Sequence, residues 1–238
     1  MRVLQSAVRW LYPPQCSGCG TRTVDDFEFC GECWSDLHLV LGLACDLCGA
    51  PLAGEADGVE LCDACLAVER PWSKGRAVFR YEGKARELVL GLKYGDRTDL
   101  VPALGPLMAR AARDLLEDDP LIVSVPLHWS RTLKRRYNQS ALLAQALARV
   151  SGLDAAPTAL ARVRRTAVLR GLGAEARFEL LAGSITAREP ERLRDRTVLL
   201  VDDVMTSGAT FTAATEASLA AGAKRVFVLA LARAAKDA

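Results

Sequence analysis

The sequence predicts an α/β protein in which a small cysteine-held module precedes a parallel sheet flanked by helices. Three observations carry that expectation. All eight cysteines lie before residue 66, and each belongs to a Cys-x-x-Cys pair. After residue 74, short apolar runs alternate with stretches of helical spacing, the pattern of strands joined by crossover helices. One of those runs ends in two adjacent acids followed by Thr-Ser-Gly-Ala-Thr.

The cysteine pairs are Cys16/Cys19, Cys30/Cys33, Cys45/Cys48 and Cys62/Cys65. A Cys-x-x-Cys turn presents two thiolates to one metal, and two turns close a tetrahedral site with no open position. Four turns therefore predict two structural zinc sites. Cys19 and Cys48 are each followed by glycine, which takes the positive φ a tight knuckle needs, whereas Cys33 and Cys65 are not. The alternation predicts consecutive ribbons, Cys16, Cys19, Cys30 and Cys33, then Cys45, Cys48, Cys62 and Cys65. An interleaved cross-brace uses the same pairs, and iron–sulfur ligation uses the same residues, so spacing alone separates neither. Disulfides require an oxidising compartment, for which no export signal is visible, and a thioredoxin-type motif is a single pair at a helix start. Structural zinc contributes an apparent ~10–16 kcal/mol to modules too small to hold a sufficient core.

The composition is that of an ordinary globular chain: of 238 residues, 50% are hydrophobic and 25% charged, with a formal net charge of +2. Bulk charge therefore supplies no nucleic-acid surface, and any basic patch must come from local clustering. Residues 1–12 carry a helical stripe (Val3, Leu4, Ala7, Val8, Leu11) broken by Gln5, Ser6 and Arg9. It lacks the apolar core of a signal peptide, and no run reaches the ~18 residues of a membrane span. The expectation is a soluble cytoplasmic protein whose first helix packs on its own domain; lying on a membrane surface is the alternative use of such a stripe.

A change of texture around residues 69–74 (Glu-Arg-Pro-Trp-Ser-Lys) predicts two domains, residues 1–70 and 74–238. In the second, residues 77–81 alternate as a strand. Residues 84–93 and 100–116 have helical spacing. Residues 121–126, an apolar run ending at Pro126, suit a buried parallel strand. Residues 138–150 form an Ala/Leu-rich helix, 197–201 a second buried strand, 209–221 a helix ended by Gly222, and 225–231 a last strand.

The chemistry lies in 198–210. An apolar strand fixes its carboxyl edge, where open α/β sheets bind ligands. Asp202 and Asp203 at that edge suit ribose hydroxyls and a hydrated divalent cation. Thr206, Ser207, Gly208, Ala209 and Thr210 then offer hydroxyls, backbone N–H groups and a helix N-terminus to a phosphate. The bland alternative is a strand ended by two acids, with Thr206 or Ser207 capping the next helix.

The ordered set resembles the fingerprint of type I phosphoribosyltransferases. That resemblance implies that Asp202 and Asp203 bind the 2- and 3-hydroxyls of phosphoribosyl pyrophosphate, brought with magnesium, and that 206–210 cradle its 5-phosphate. The whole chain resembles the ComF family, a double zinc ribbon followed by this domain, linked to competence and DNA uptake. Tyr81-Glu82-Gly83, Leu92-Lys93-Tyr94-Gly95-Asp96, Val125-Pro126-Leu127-His128 with Arg131, Arg136-Tyr137-Asn138-Gln139-Ser140, and Leu160-Ala161-Arg162 with Thr166 follow in family order. The loop after residue 125 is then the pyrophosphate loop, with His128 and Arg131 as anion contacts; a histidine after a proline turn is otherwise a polar loop residue. Lys93 and Arg136 add positive charge or are solvated.

This chain departs from the family pattern at four places: Arg136 stands where the family has glycine, Tyr137 (a mild change) where it has phenylalanine, Leu169 where it has glutamine, and Leu180 where it has asparagine after Arg177. These departures bear on turnover more than on ligand binding, and they leave the question of enzymatic activity open. A Gly171-Leu-Gly173 segment imitates a dinucleotide motif but follows no convincing buried strand. Two functions stand. One is transfer of phosphoribosyl to an unknown acceptor; the other is a non-catalytic adaptor for DNA or a DNA-uptake protein, mildly favoured by the arginines of 162–170.

Overall fold

The computed structural model describes residues 12–128, 136–164 and 174–234. The helix expected over 1–12 and Arg131, Thr166, Leu169 and Gly171–Gly173 lie outside these residues, apart from Tyr12.

The central sheet has four parallel strands in the order β1-β6-β5-β2: β1 Lys74–Arg80, β2 Leu121–Ser124, β5 Thr197–Met205 and β6 Arg225–Arg233. The inner strands are apolar on both faces, as a sheet covered on both sides requires. Val198 and Leu200 of β5 join Val226 and Val228 of β6 in one core, while Leu199 and Val201 join Phe227 and Leu229 in the other. The second core lies under three helices, α3 Gly83–Tyr94, α4 Val101–Ala111 and α6 Gln139–Ser151, through Leu88, Leu92, Leu104 and Leu143. The helix expected over 100–116 breaks at Ala112, and a short α5 follows over Arg113–Leu116.

The first core is covered differently. α9 Ala209–Ala220 supplies Phe211 and Ala214. An antiparallel pair, β3 Leu160–Arg162 and β4 Ile185–Ala187, supplies Leu160 and Ile185, and α7 Ala174–Leu181 supplies Leu181. These elements, with α8 Pro190–Leu193, were not among the sequence expectations: β3, β4 and α8 run for only three or four residues, too short for a readable period.

The cysteines assemble into two consecutive groups, Cys16, Cys19, Cys30 and Cys33, then Cys45, Cys48, Cys62 and Cys65, with all sulfur atoms of a group within 4.8 Å of one another. Helical turns α1 Gly31–Ser35 and α2 Asp63–Leu66 carry one pair-end each. The cross-brace is thereby excluded. Sulfur–sulfur separations of 3.6 Å for Cys19/Cys30 and Cys48/Cys62 fit a tetrahedron with Zn–S of about 2.3 Å, whose edge is ~3.8 Å. The titration pattern agrees with crowded thiols sharing one site. Hydrogen bonds from Cys48 and Cys65 favour the Cys45 thiolate, and its proximity opposes ionisation of Cys65. Four thiolates need a cation between them, and soft sulfur donors suit zinc.

The two groups sit differently. In the first, Cys19 is exposed, and Arg97 Nη2 donates to Ser17 O at 3.0 Å. The second belongs to the sheet's own core: Cys45, Cys48 and Cys65 cluster with Trp72, Ala77 and Val228. Trp72 Nε1 donates to Leu47 O at 2.5 Å, Gly75 N to Asp46 O at 2.7 Å, and Arg76 bridges Asp46 and Asp114 at 3.0 and 2.8 Å. Gly49 takes φ +66° and lies against the backbone of Arg76 and Ala77 with no room for a side chain. Between the ribbons, Leu39 bridges antiparallel to Phe79 and closes the exposed edge of β1.

Candidate functional site

β5 runs beyond the expected end at Val201 because β6 stays paired with it, Asp202 against Ala230 and Met205 against Arg233. β2 ends at Ser124, opposite Val201. Past that point one side of β5 is open, and the N-terminus of α6 enters there. Asn138 caps α6, accepting from Ser140 N at 3.1 Å, and donates through Nδ2 to Val125 O at 3.1 Å. Tyr137 Oη donates to Leu92 O at 2.7 Å. These two bonds tie the start of α6 to the end of β2 and the last turn of α3.

The result is a polar cluster built from three elements. By strand alternation Asp203 continues the Leu199–Val201 row, under α3 and α6, and is 4% exposed. Gln139 Nε2 donates to its Oδ2 at 2.5 Å, and Lys93 Nζ pairs with its Oδ1 at 2.9 Å. Asp202 is half-buried; its Oδ1 accepts from Ser140 Oγ at 2.6 Å and from Asp203 N at 2.9 Å. Burial first, and then the neighbouring Asp203 charge, push the Asp202 carboxyl up to about 7, against the pull of Ser140, Asp203 N and Lys93. Burial also opposes the Lys93 charge, but Asp203 and Asp202 outweigh it and hold the lysine above its ordinary value. One lysine thus incompletely neutralises two carboxylates at a sheet edge, an arrangement that attracts a further cation or hydroxyl donors.

The adjoining turn, Thr206 to Gly208, has its carbonyls turned inward. Met205 O and Thr206 O accept from Arg233 Nη1 at 3.2 and 2.9 Å, and Ser207 O accepts from Arg70 Nη1 at 2.8 Å. Among the described residues no acceptor meets the N–H groups of Thr206, Ser207 or Gly208. Gly208 (φ +86°) is the N-cap of α9; a Cβ there would stand 2.9 Å from Arg70 Nη1 and 3.1 Å from the Trp72 ring. Ala209 and Thr210 form the first turn of α9, and Arg177 of α7 donates to Thr206 Oγ1 at 3.2 Å. A turn with pinned carbonyls and free N–H groups, continuous with a helix N-terminus, has the donors an anion would need.

The structure therefore brings together Lys93, Asp202, Asp203 and 206–210. His128 leaves the same sheet edge beyond β2, is buried, and bridges to Arg162 of β3, whose Nε donates to Pro126 O at 3.2 Å. Arg136 takes φ +67° just before α6, where glycine would be unstrained. Leu180 is half-buried in α7. Ser140, Gln139, Arg70, Arg233 and Arg177 were given no role from sequence. The first two follow an Asn at a helix start, a signal that was readable; the arginines lie far from the motif in the chain.

Comparison with known proteins places both parts of the chain in known domain families. The double zinc ribbon domain family matches residues 7–66, and the phosphoribosyl transferase domain family matches residues 138–238. The fold and site thus define a double zinc ribbon joined to a phosphoribosyltransferase domain. DNA utilization protein YhgH of Escherichia coli K12 is 31% identical over 224 residues, 92% of this chain and 89% of its own length. Competence protein F of Haemophilus influenzae is 29% identical over 225 residues, 92% and 90% of the two chains. YhgH of Salmonella typhimurium LT2 is 34% identical over 195 residues, 79% and 83%. The chain belongs to the ComF family of these proteins. Among the described residues no helix is long and apolar enough to cross a membrane.

Proposed function

We propose that the protein binds phosphoribosyl pyrophosphate with magnesium at the carboxyl edge of β5 and transfers its phosphoribosyl group to an acceptor. The observation that carries this reading is the turn at 206–208, its carbonyls tied back by Arg70 and Arg233 and its N–H groups open beside two carboxylates. The turn and the start of α9 hold the 5-phosphate. Asp202 and Asp203 accept hydrogen bonds from the ribose hydroxyls, and Ser140, Gln139 and Lys93 hold the two carboxylates for that task. Magnesium, when bound with the substrate, neutralises charge on the pyrophosphate. His128, just beyond β2, is assigned to the leaving group; Arg131, given the same role from sequence, lies outside the described residues. The bond from ribose carbon 1 to pyrophosphate breaks, pyrophosphate leaves with its electron pair, and the acceptor's lone pair forms the new bond. The chain's own contribution is positioning and electrostatic stabilisation.

The names DNA utilization protein and Competence protein F favour a second reading, an adaptor that binds DNA or a DNA-uptake protein at the old substrate site without transfer. Incubation with magnesium, phosphoribosyl pyrophosphate and candidate acceptors, followed by pyrophosphate detection, separates the two. Acceptor-dependent release supports transfer. Steeply salt-dependent DNA binding without release supports the adaptor.

A further inference from the structure

The second cysteine cluster and the phosphate turn share two side chains. Arg70, from the segment that leaves the ribbons, donates Nη1 to Ser207 O at 2.8 Å and Nη2 to Ala64 O at 3.5 Å, inside the Cys62–Cys65 knuckle. Its guanidinium lies 5.5 Å from the Trp72 ring and 5.8 Å from that of Phe178, and Trp72 donates to Leu47 O, inside the Cys45–Cys48 knuckle. Arg233, 6% exposed at the end of β6, donates Nη1 to Met205 O, Thr206 O and Ala234 O. Trp72 also meets the turn, since a Cβ on Gly208 would stand 2.9 Å from Arg70 Nη1 and 3.1 Å from the Trp72 ring. The Nε–H groups of Arg70 and Arg233 are buried without an acceptor among the described residues.

Arg70 thus joins the Cys62–Cys65 knuckle to the phosphate turn, and Trp72 joins the Cys45–Cys48 knuckle to it. A metal held by four thiolates fixes the two knuckles relative to each other, which free thiols do not. The first cluster shows no such link to the turn among the described residues; Arg97 to Ser17 O and Phe29 packing on the α3–α4 core tie it to the second domain elsewhere.

We propose that the metal-loaded second cluster, Cys45, Cys48, Cys62 and Cys65, is a positioning element of the phosphate turn, acting through Arg70 and Trp72. Loaded, it fixes both knuckles and with them these two side chains, which hold Ser207 O and the backbone at Gly208 and leave the N–H groups facing the ligand. Phosphate-ligand binding and metal retention at this cluster are therefore coupled, and coupling is reciprocal. The inference rests on the ligand reading above.

The test uses the full zinc-loaded protein, challenged with a chelator and iodoacetamide, with and without saturating magnesium phosphoribosyl pyrophosphate. Modification of each cysteine is timed by mass spectrometry, and ligand binding is measured on the same sample by calorimetry. The expected result is slowing of about fivefold or more at Cys45, Cys48, Cys62 and Cys65, the low end of usual coupling, with Cys16, Cys19, Cys30 and Cys33 unchanged. Arg70→Lys keeps charge but loses the forked geometry, and Trp72→Phe loses the bond to Leu47 O; each is expected to diminish that selective protection. Binding without slowing, or with equal slowing at both clusters, overturns the coupling and leaves the ligand reading standing. No binding to wild type overturns both. Should these variants fail to fold, the wild-type comparison of the two clusters decides alone.

Discussion

Replacing Lys93 with methionine tests how the acid pair is held. The substitution keeps most of the apolar stem and removes the ammonium 2.9 Å from Asp203 Oδ1. Asp203 is then left buried, beside Asp202, with Gln139 as its remaining side-chain donor. Both partners are well buried, at 19% and 6% side-chain exposure, so solvent screens the pair little. Removing one member of such a pair costs about 3–5 kcal/mol. In a chain of this size that corresponds to a melting temperature lower by roughly 6–20 °C, at ~2–4 °C per kcal/mol. Thermal unfolding of Lys93→Met, Asp203→Asn and the double variant, with zinc loaded in all, gives the cycle. The double variant is expected to recover much of the loss, because the buried charge has gone with its partner. Magnesium alone is expected to stabilise Lys93→Met more than wild type. A melting temperature within 1 or 2 °C of wild type (roughly 0.5 kcal/mol) would refute the reasoning.

Three further outcomes are expected. Zinc analysis should give two equivalents per chain, and chelation should unfold the ribbons, read as loss of far-ultraviolet ellipticity and exposure of all eight thiols. Gly208→Ala should cost about 1–3 kcal/mol, because alanine there meets both a positive φ and the Arg70 and Trp72 side chains; denaturant midpoints check it. The folded Asp202 carboxyl, at about 7 against an ordinary 3.8, holds its proton where the unfolded chain has lost it. Its contribution to stability therefore falls as pH rises from about 4 to 7 and is level above that window. Melting curves across that range should show Asp202→Asn gaining on wild type as pH rises; a constant difference would contradict the assignment.

The parts of the fold that a sequence shows are those with long, periodic or chemically distinctive patterns. β5, β6 and β2 are buried on both faces, so Val198–Val201, Val226–Leu231 and Leu121–Val123 read as unbroken apolar runs. The cysteine clusters were legible because four knuckles at this spacing have few other uses, and glycine after Cys19 and Cys48 marked which pairs open a ribbon. The extension of β5 to Met205 was not legible. Its acids and Met205 are held in the strand by pairing with Ala230 to Arg233, which lie nearly 30 positions away.

The site shows the same division. Asp202, Asp203 and the turn are contiguous and could be read as a motif. What holds them is not contiguous: Lys93 ends α3, Gln139 and Ser140 begin α6, Arg70 lies between ribbon and sheet, and Arg233 closes β6. The texture change around residues 69–74 was visible, but not that Arg70 and Trp72 within it join the second ribbon to the turn.

The most direct test of the central claim is isothermal titration of zinc-loaded protein with phosphoribosyl pyrophosphate in magnesium, beside the Asp202→Asn/Asp203→Asn variant. The site predicts saturable one-to-one binding by wild type, lost or weakened at least tenfold (about 1.4 kcal/mol) in a variant that keeps both its zinc ions. No heat of binding in wild type at saturating ligand, confirmed by an unchanged melting temperature, or equal affinity in the variant, would contradict it.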